Sequence, residues 1–223
     1  MGDGNLLSRL GKYTQTMAEK RVVIIDYGMG NLWSVASAIK YLGYLPQISC
    51  DNKEISRADL IILPGVGSFR RAMQTIESAE INKAIFEALN QPQTRLLGIC
   101  LGMQLLGKSS TEDGLTEGLG LVKNEVTKFT SSESEPIKIP HIGYSEISRN
   151  KKMRLFAGIS SDACFYFVHS YFMKVVTDET LYATAHHGQG YIAAFESGQI
   201  FGTQFHPEKS QRAGLKVLQN FLQ

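Results

Sequence analysis

Apolar residues in the first half of the chain follow two alternating patterns. Three short runs are almost entirely apolar, at residues 22–25, 59–63 and 96–99, as is typical of strands buried on both faces of a sheet. Between the first two runs, five apolar residues repeat at helical spacing: Leu32, Val35, Ala36, Ile39 and Leu42. Gly43 follows them and predicts the end of this helix, because glycine readily adopts the left-handed conformation. A long helical stretch is predicted from the second run to about residue 90.

The alternation of strands and helices predicts a mainly parallel sheet with helices on both faces. From about residue 119 the pattern changes to short strand-like segments, predicted at 121–129, 137–142, 165–168, 181–185, 191–195 and 200–205. Their close spacing predicts antiparallel pairing, and a last amphipathic helix is predicted at 211–222. We therefore expect an α/β fold, a flavodoxin-like three-layer sandwich with a mainly parallel central sheet and additional antiparallel strands in the C-terminal half.

Composition and charge exclude several classes of protein. Of 223 residues, 43% are hydrophobic and 20% are charged, close to average globular usage. The net charge of +2 is too small for a strong phosphate-binding field, so we expect no nucleic acid partner. We expect no membrane partner, because no apolar stretch reaches the roughly 20 residues that cross a bilayer. Three cysteines do not suit a disulfide framework and favour a reducing, cytoplasmic location.

The start of the chain differs from the rest. Residues 1–20 are polar, carry both signs of charge and lack the apolar centre of a secretory signal. We interpret residues 1–20 as a flexible N-terminal extension and residues 21–223 as one domain.

Cys100 has the sequence context of a catalytic nucleophile. It stands between Gly98 and Gly102, where the third apolar run turns into a helix. Such a nucleophile elbow needs glycines on either side, because neighbouring backbone approaches too closely for a Cβ. The helix N-terminus favours the thiolate, and the backbone N–H of Leu101 points toward an oxyanion beside the sulfur. Taken alone, the pattern fits a small buried cysteine at a strand end equally well.

A candidate base lies far along the chain, in the segment His206-Pro207-Glu208. Side chains at i and i+2 of an extended chain project the same way, so Glu208 can accept the Nδ1–H of His206 and leave Nε2 free to face the thiol. Pro207 lacks a donor and ends sheet pairing there. Alone, the segment would more often be an ordinary turn. Together with the elbow, it predicts a Cys-His-Glu triad.

The loop Pro64-Gly65-Val66-Gly67 follows the second apolar run and is a candidate second oxyanion donor. Neighbouring parallel strands place this loop beside the elbow, and its two glycines allow close approach to a ligand or a peptide flip. Without Cys100 it would be a plain strand-to-helix turn.

The other histidines give weaker signals. His186 and His187 precede Gly188 and predict a hairpin turn, whereas His169 fits a pocket residue and a structural strand-end histidine equally well. No residue spacing suggests a metal site, and we expect no metal and no other cofactor.

Six motifs in this order resemble the class I (triad) glutamine amidotransferases. They cover residues 25–32, 63–67, 98–106, 140–143, 166–171 and 201–210 of a region that spans 21–223. The elbow and the His-Pro-Glu segment indicate the broad class. The Asp-Tyr-Gly-Met-Gly-Asn segment from Asp26 and the ending Lys209-Ser210 are most similar to the glutaminase subunits of imidazole glycerol phosphate synthase.

The resemblance implies a hydrolytic mechanism. Cys100 attacks the carboxamide of L-glutamine, and His206, oriented by Glu208, protonates the departing ammonia. Water then hydrolyses the γ-glutamyl thioester to glutamate. The resemblance also implies a set of residues that hold the substrate or its oxyanion: Gly65, Val66, Gly67, Leu101 and Gln104.

A partner is implied by the same resemblance. Ammonia passes to a (β/α)8-barrel cyclase subunit, in a heterodimer that makes imidazole glycerol phosphate and AICAR in histidine biosynthesis, and Asn31 and Tyr144 face that barrel. The family usually has Trp-Asn where this chain has Tyr144-Ser145. Two alternatives therefore stay open: a related subunit that supplies ammonia for surface-sugar amidation, and a cysteine peptidase or silent binding subunit with the same fold.

Overall fold

The computed structural model describes residues 20–133, 135–176 and 178–223. The predicted N-terminal extension, up to residue 19, lies outside the described residues. The α-helices are α1 Leu32–Tyr41, α2 Asn52–Ser56, α3 Phe69–Ser78, α4 Ile81–Leu89, α5 Leu101–Leu105 and α6 Gln211–Leu222. The strands of the first half are β1 Val22–Ile25, β2 Pro46–Ser49, β3 Leu60–Gly65, β4 Arg95–Cys100, β5 Ser109–Ser110 and β6 Thr116–Glu117. Those of the second half are β7 Glu125–Lys128, β8 His141–Glu146, β9 Ser148–Arg149, β10 Cys164–His169, β11 Tyr171–Met173, β12 Leu181–His186, β13 Gly190–Ser197 and β14 Ile200–Thr203.

The central sheet has eight strands in the order β2-β1-β3-β4-β14-β13-β12-β9. The first five strands of this order are parallel, and the last three extend the sheet with antiparallel pairing. Two smaller sheets, β10-β8 and β11-β7-β5-β6, complete the C-terminal half. The predicted α/β architecture is confirmed, a mainly parallel sheet with additional antiparallel strands.

The central sheet is buried on both faces. In β1, Val22 and Ile24 belong to one hydrophobic cluster while Val23 and Ile25 belong to a second one on the opposite face. All four side chains are at most 2% exposed, and burying each contributes roughly 1.5–3 kcal/mol relative to leaving it in water. Because both faces are covered, the strand sequence shows a continuous apolar run instead of an alternation.

Four predicted elements differ from the structure. The strand predicted at 121–129 is the shorter β7, which spans Glu125–Lys128. The strand predicted at 137–142 begins only at His141, because Pro140 cannot donate to a ladder. The long helix predicted before residue 90 is two helices, α3 and α4, separated at Glu80, which has a left-handed φ of 56°. The strand predicted at 200–205 is the shorter β14, which pairs with β13 antiparallel as expected but also with β4 in parallel.

The order of the parallel strands determines where side chains after the strands meet. β4 lies between β3 and β14, so the elbow, the Gly65–Gly67 loop and the segment after β14 share the carboxyl edge of the sheet. Across the described parts of the chain, none of the helices combines the length and apolarity needed to span a bilayer.

Candidate active site

Cys100 is the last residue of β4 and directly precedes α5. Its φ of 56° and ψ of −112° form a strained turn that non-glycine residues rarely adopt. A Cβ on Gly98 would lie 2.6 Å from the Met103 Cα, and one on Gly102 would clash with the carbonyl of Leu63. The turn therefore requires glycine on both sides, for the reason inferred from the sequence.

The helix that follows the cysteine is short. α5 spans five residues, so its macrodipole supplies less stabilisation of a thiolate than the sequence pattern suggests. A nearer group is the Nε2 amide of Gln204, which donates to the Cys100 sulfur at 3.7 Å. Gln204 reaches the sulfur because β14 pairs with β4 in a register that sets Thr203 opposite Ile99. The sequence analysis did not identify Gln204, although its position two residues before His206 could have indicated that it lies near the site.

His206 and Glu208 form a buried pair. The Nδ1–H of His206 donates to a Glu208 carboxylate oxygen at 2.9 Å, and the two side chains are only 3% and 1% exposed. The sequence argument assumed an extended segment, but residues Pro207–Lys209 form a 3₁₀ turn. The pair still forms, because the turn brings the side chains of His206 and Glu208 to the same side. The Ser210 hydroxyl donates to the His206 carbonyl at 2.7 Å.

The charge state of His206 follows from its neighbours. Burial opposes the charged ring, but the interactions with Cys100 and Glu208 outweigh burial and raise the pKa of His206 to about 10. Its Nε2 is buried and forms no hydrogen bond to the described residues, although Cys100 is near enough to contribute to the raised pKa of His206. The imidazolium form of His206 is therefore the protonation state that its surroundings favour near neutral pH.

The Gly65–Gly67 loop approaches the elbow closely. Gly65 pairs directly with Cys100, and a Cβ on Gly65 would lie 3.0 Å from the Gly102 nitrogen. Gly67 has a φ of 102°, which glycine adopts without strain. Val66, between them, is 45% exposed.

A cavity of about 370 Å³ joins these groups. Cys100, His206, Val66, Gly67, Leu101 and Gln104 all line it, so the structure brings most of the sequence-predicted site residues to one place. Gln104 uses both amide N–H bonds within the protein, to the Tyr171 carbonyl at 2.8 Å and to Gln204 at 2.9 Å. A substrate can therefore reach only its carbonyl oxygen, which accepts.

Three further residues of this site escaped sequence reasoning. Glu112 lines the cavity, accepts the Phe69 N–H at 2.7 Å, and has its pKa raised, chiefly by burial. It lies between two short strands and belongs to no motif, so no pattern in the sequence signalled it. Tyr171 forms part of the wall. Burial, together with the nearby Cys100, raises the pKa of Tyr27, whose hydroxyl lies against Gly65.

Three of the other histidines lie close together, and one of them, His169, also lines the cavity. His141 and His187 stack with ring centroids 4.3 Å apart, and His169 lies 5.5 Å from His141. Burial and the neighbouring His187 lower the pKa of His141 to about 4. His186 ends β12 and is exposed. Among the residues that the structure describes, no group of three or more His, Cys, Asp or Glu side chains is arranged to hold a metal ion.

The two residues expected at a partner surface are accessible. Asn31 precedes α1 and is exposed, and Tyr144 is 50% exposed and donates its hydroxyl to the Lys209 carbonyl at 2.8 Å. Both lie near the turn that carries Glu208, because α1 contacts the 3₁₀ turn Pro207–Lys209. Exposed apolar side chains accompany them, with Trp33 at 74% and Ile142 at 60%.

A cysteine at a strained turn, together with a buried His-Glu pair on a mainly parallel sheet, is typical of α/β enzymes that use a thiol nucleophile. Solved structures share the fold: "Crystal structure of glutamine amidotransferase", with a TM-score of 0.69 and 16% identity over 90% of this chain and 98% of that one. "Structure of PurLQS from Thermotoga maritima" has a TM-score of 0.67 and 21% identity over 91% and 97%.

Sequence comparisons show to which family of enzymes the chain belongs. The family model described as "Glutamine amidotransferase class-I" matches residues 23–223. Imidazole glycerol phosphate synthase subunit HisH 1 of Campylobacter jejuni strain RM1221 is 43% identical over 90% of this chain and 98% of its own length. Subunit HisH of Methanosarcina acetivorans is 44% identical over 92% and 98%. The chain belongs to the class I glutamine amidotransferases and, within them, to the imidazole glycerol phosphate synthase HisH family. The predicted family, fold and enzyme class are confirmed.

Proposed function

We propose that residues 21–223 form one domain that hydrolyses L-glutamine to glutamate and ammonia with the triad Cys100, His206 and Glu208. The observation that carries the proposal is the buried His206–Glu208 pair, whose His206 lines the same cavity as the strained elbow cysteine. The relatives support it, because they are named as subunits of a synthase and the family is that of the glutamine amidotransferases.

In the first step the Cys100 sulfur attacks the side-chain carboxamide carbon of glutamine. The carbonyl oxygen becomes an oxyanion, for which the Leu101 N–H and a reoriented Val66 peptide are the candidate donors. His206, whose charged form Cys100 and Glu208 favour, gives its Nε2 proton to the nitrogen. The carbon–nitrogen bond then breaks and ammonia leaves.

In the second step water attacks the thioester carbon and gives a proton back to His206 Nε2. The carbon–sulfur bond breaks, and glutamate and the Cys100 thiolate are released. Gln104, through its carbonyl oxygen, and the half-buried carboxylate of Glu112 are placed to hold the substrate ammonium group, because both are acceptors in the cavity wall. The backbone of Gly65 and Gly67 completes the binding site.

Ammonia would serve a second active site, that of a (β/α)8-barrel cyclase subunit in a heterodimer that makes imidazole glycerol phosphate and AICAR. Asn31 and Trp33 are exposed at the start of α1, which contacts the turn that carries Glu208, and the exposed Tyr144 donates to Lys209 of that turn. Ile142, two residues before Tyr144 on β8, is also exposed. These accessible groups support a partner that covers this edge of the sheet. An apolar exposed patch with an aromatic centre is typical of such an interface.

The test combines the full chain with the cyclase subunit of the same genome. Glutamine hydrolysis should be slow for the chain alone and should rise at least about 10-fold when the ligand-loaded cyclase is added. The Cys100→Ala variant should abolish glutamine-dependent synthesis and leave ammonia-dependent synthesis by the complex intact. Loss of both activities would contradict the division of labour. Absence of stimulation would contradict this partner and favour a surface-sugar amidating enzyme.

A further inference from the structure

Tyr27 carries a buried hydroxyl that the triad does not use. The residue follows β1 at the carboxyl edge of the central sheet and is 4% exposed. Its hydroxyl oxygen is buried and forms no hydrogen bond to the described residues. Because folded proteins pair nearly all of their buried polar groups, this hydroxyl calls for a partner that the resting structure does not supply.

The hydroxyl lies against the backbone of Gly65. A Cβ on Gly65 would clash with the Tyr27 hydroxyl oxygen and would lie 3.0 Å from both the Gly102 nitrogen and the Leu101 Cβ. Glycine is therefore required beside the hydroxyl. Gly65 is also the residue that pairs with Cys100 in the sheet. The unpaired hydroxyl is thus in contact with the loop that is a candidate oxyanion donor.

Tyr27 and Cys100 pack on opposite faces of the sheet. Tyr27 belongs to the same hydrophobic cluster as Ile25, whereas Cys100 belongs to the cluster of Ile24 on the other face. Gly65 contacts the Tyr27 hydroxyl and pairs with Cys100, so it lies between them. A group of this loop that turns one end toward the sulfur therefore turns its other end toward the side of Tyr27.

The peptide between Gly65 and Val66 has two such ends. Its C=O and N–H point in opposite directions, because a trans peptide is planar. The Val66 N–H donates to no other backbone group within residues 20–133, 135–176 and 178–223, so no backbone hydrogen bond opposes its rotation. Turning this N–H toward an oxyanion at Cys100 points the Gly65 carbonyl to the side of the Tyr27 hydroxyl. Glycine has the backbone freedom that the rotation requires.

The hydroxyl and the carbonyl complement each other after this rotation. A tyrosine O–H donates a hydrogen bond and a carbonyl oxygen accepts one. Without a donor, a carbonyl that is turned into the protein stays unpaired, and its desolvation opposes the rotation. The Tyr27 hydroxyl has no bond to give up, so its new hydrogen bond favours the rotated peptide alone. An interaction that forms only when the oxyanion donor is in place raises kcat and leaves ground-state binding unchanged.

We propose that Tyr27 is a positioning residue, whose hydroxyl donates to the Gly65 carbonyl when the Val66 N–H turns toward the oxyanion. The inference rests on the proposed glutaminase function. Tyr27 contacts no reacting atom and transfers no proton. It acts through the peptide, by favouring the orientation in which the Val66 N–H stabilises the negative oxygen.

The test compares two tyrosine-to-phenylalanine variants of the full chain, each of which lacks one buried hydroxyl. Tyr27→Phe should lower kcat for glutamine about 10-fold, equivalent to about 1.4 kcal/mol, and change KM less than about 3-fold. Urea unfolding should show no loss of stability for this variant, because the resting structure loses no hydrogen bond.

Tyr44→Phe is the matched control. Tyr44 precedes β2, at the amino edge of the sheet, and its buried hydroxyl donates to the Leu222 carbonyl at 3.2 Å. This variant should show the opposite pattern, a lower stability and an unchanged kcat. An unchanged kcat for Tyr27→Phe would overturn the proposal, as would a loss of stability as large as that of Tyr44→Phe. Failure of the wild-type chain to hydrolyse glutamine would instead overturn the glutaminase function.

Two further measurements keep the proposal testable if glutamine hydrolysis by the chain is slow. The γ-methyl ester of glutamate has a better leaving group and still forms an oxyanion, so Tyr27→Phe should lower kcat for the ester about 10-fold as well. Iodoacetamide alkylates a thiolate by displacing iodide and forms no oxyanion. Its reaction at Cys100, followed by mass spectrometry because Cys50 and Cys164 are exposed, should proceed at the wild-type rate. An unchanged ester rate, or an equal fall in alkylation, would contradict a role through the oxyanion loop.

Discussion

The burial of His169 predicts a specific loss of stability in acid. Desolvation lowers the pKa of this histidine in the folded protein to about 3, and the hydrogen bond that its Nδ1 donates to the Tyr171 carbonyl only partly opposes the shift. In the unfolded chain a histidine has a pKa near 6.5. Between these two values the unfolded chain binds a proton that the folded protein excludes, so the free energy of unfolding decreases as the pH falls.

The magnitude follows from the linkage relation. Each pH unit below about 6.5 lowers the free energy of unfolding by about 1.4 kcal/mol, until the pH approaches the pKa of His169 in the folded protein, near 3. At pH 4.5 the loss from this one residue is therefore about 3 kcal/mol, whereas above pH 6.5 its contribution no longer changes. A loss of this size is a substantial fraction of the roughly 5–15 kcal/mol that stabilises a typical protein.

Urea unfolding of the wild type and of His169→Gln at pH 7.5 and pH 4.5 measures this effect. The variant has lost packing and a hydrogen bond, but that cost is the same at both pH values because glutamine does not titrate. The difference in unfolding free energy, wild type minus variant, should decrease by about 3 kcal/mol on acidification. His186→Gln, at an exposed histidine, should show no such change. A difference that stays constant for His169→Gln would refute the reasoning.

Three further substitutions test the geometry of the site. His206→Ala should lower the rate of glutamine hydrolysis by at least about 10²-fold, the usual scale for a general acid–base residue; a rate near that of the wild type would remove His206 from the triad. Glu208→Gln should lower kcat/KM and move its alkaline limb from near pH 10 toward neutral, because the carboxylate that raises the pKa of His206 is lost; an unmoved limb in the pH profile would argue against that pairing. Gly102→Ala should destabilise the protein by about 1–3 kcal/mol in urea unfolding, since its Cβ would clash with the Leu63 carbonyl. The control for this substitution is Gly190→Ala, because a Cβ at Gly190 would have open space around it. Gly120→Ala is unsuitable because Gly120 has a positive φ.

Much of the fold was predictable because its signals are local. The runs that became β1, β3 and β4 are apolar since both faces of the sheet are covered, and α6 was predicted with its observed bounds from the spacing of Leu215, Leu218 and Leu222. The error at β14 falls where tertiary pairing decides. No sequence pattern indicates that β14 lies between β4 and β13 in the sheet. This pairing brings the Gln204 amide to the sulfur of Cys100.

The sequence by itself determined which residues could perform the chemistry. The glycines around Cys100 specify a turn that no other residues tolerate, and the spacing of His206 and Glu208 suits a hydrogen-bonded pair. Only the tertiary structure decided how these segments meet. It added Glu112, which belongs to no motif, to the cavity wall and left the buried hydroxyl of Tyr27 unpaired among the described residues. The physical reason is that backbone conformation is specified by neighbours in the chain, whereas desolvation, charge state and unsatisfied hydrogen bonds depend on residues that are distant in sequence.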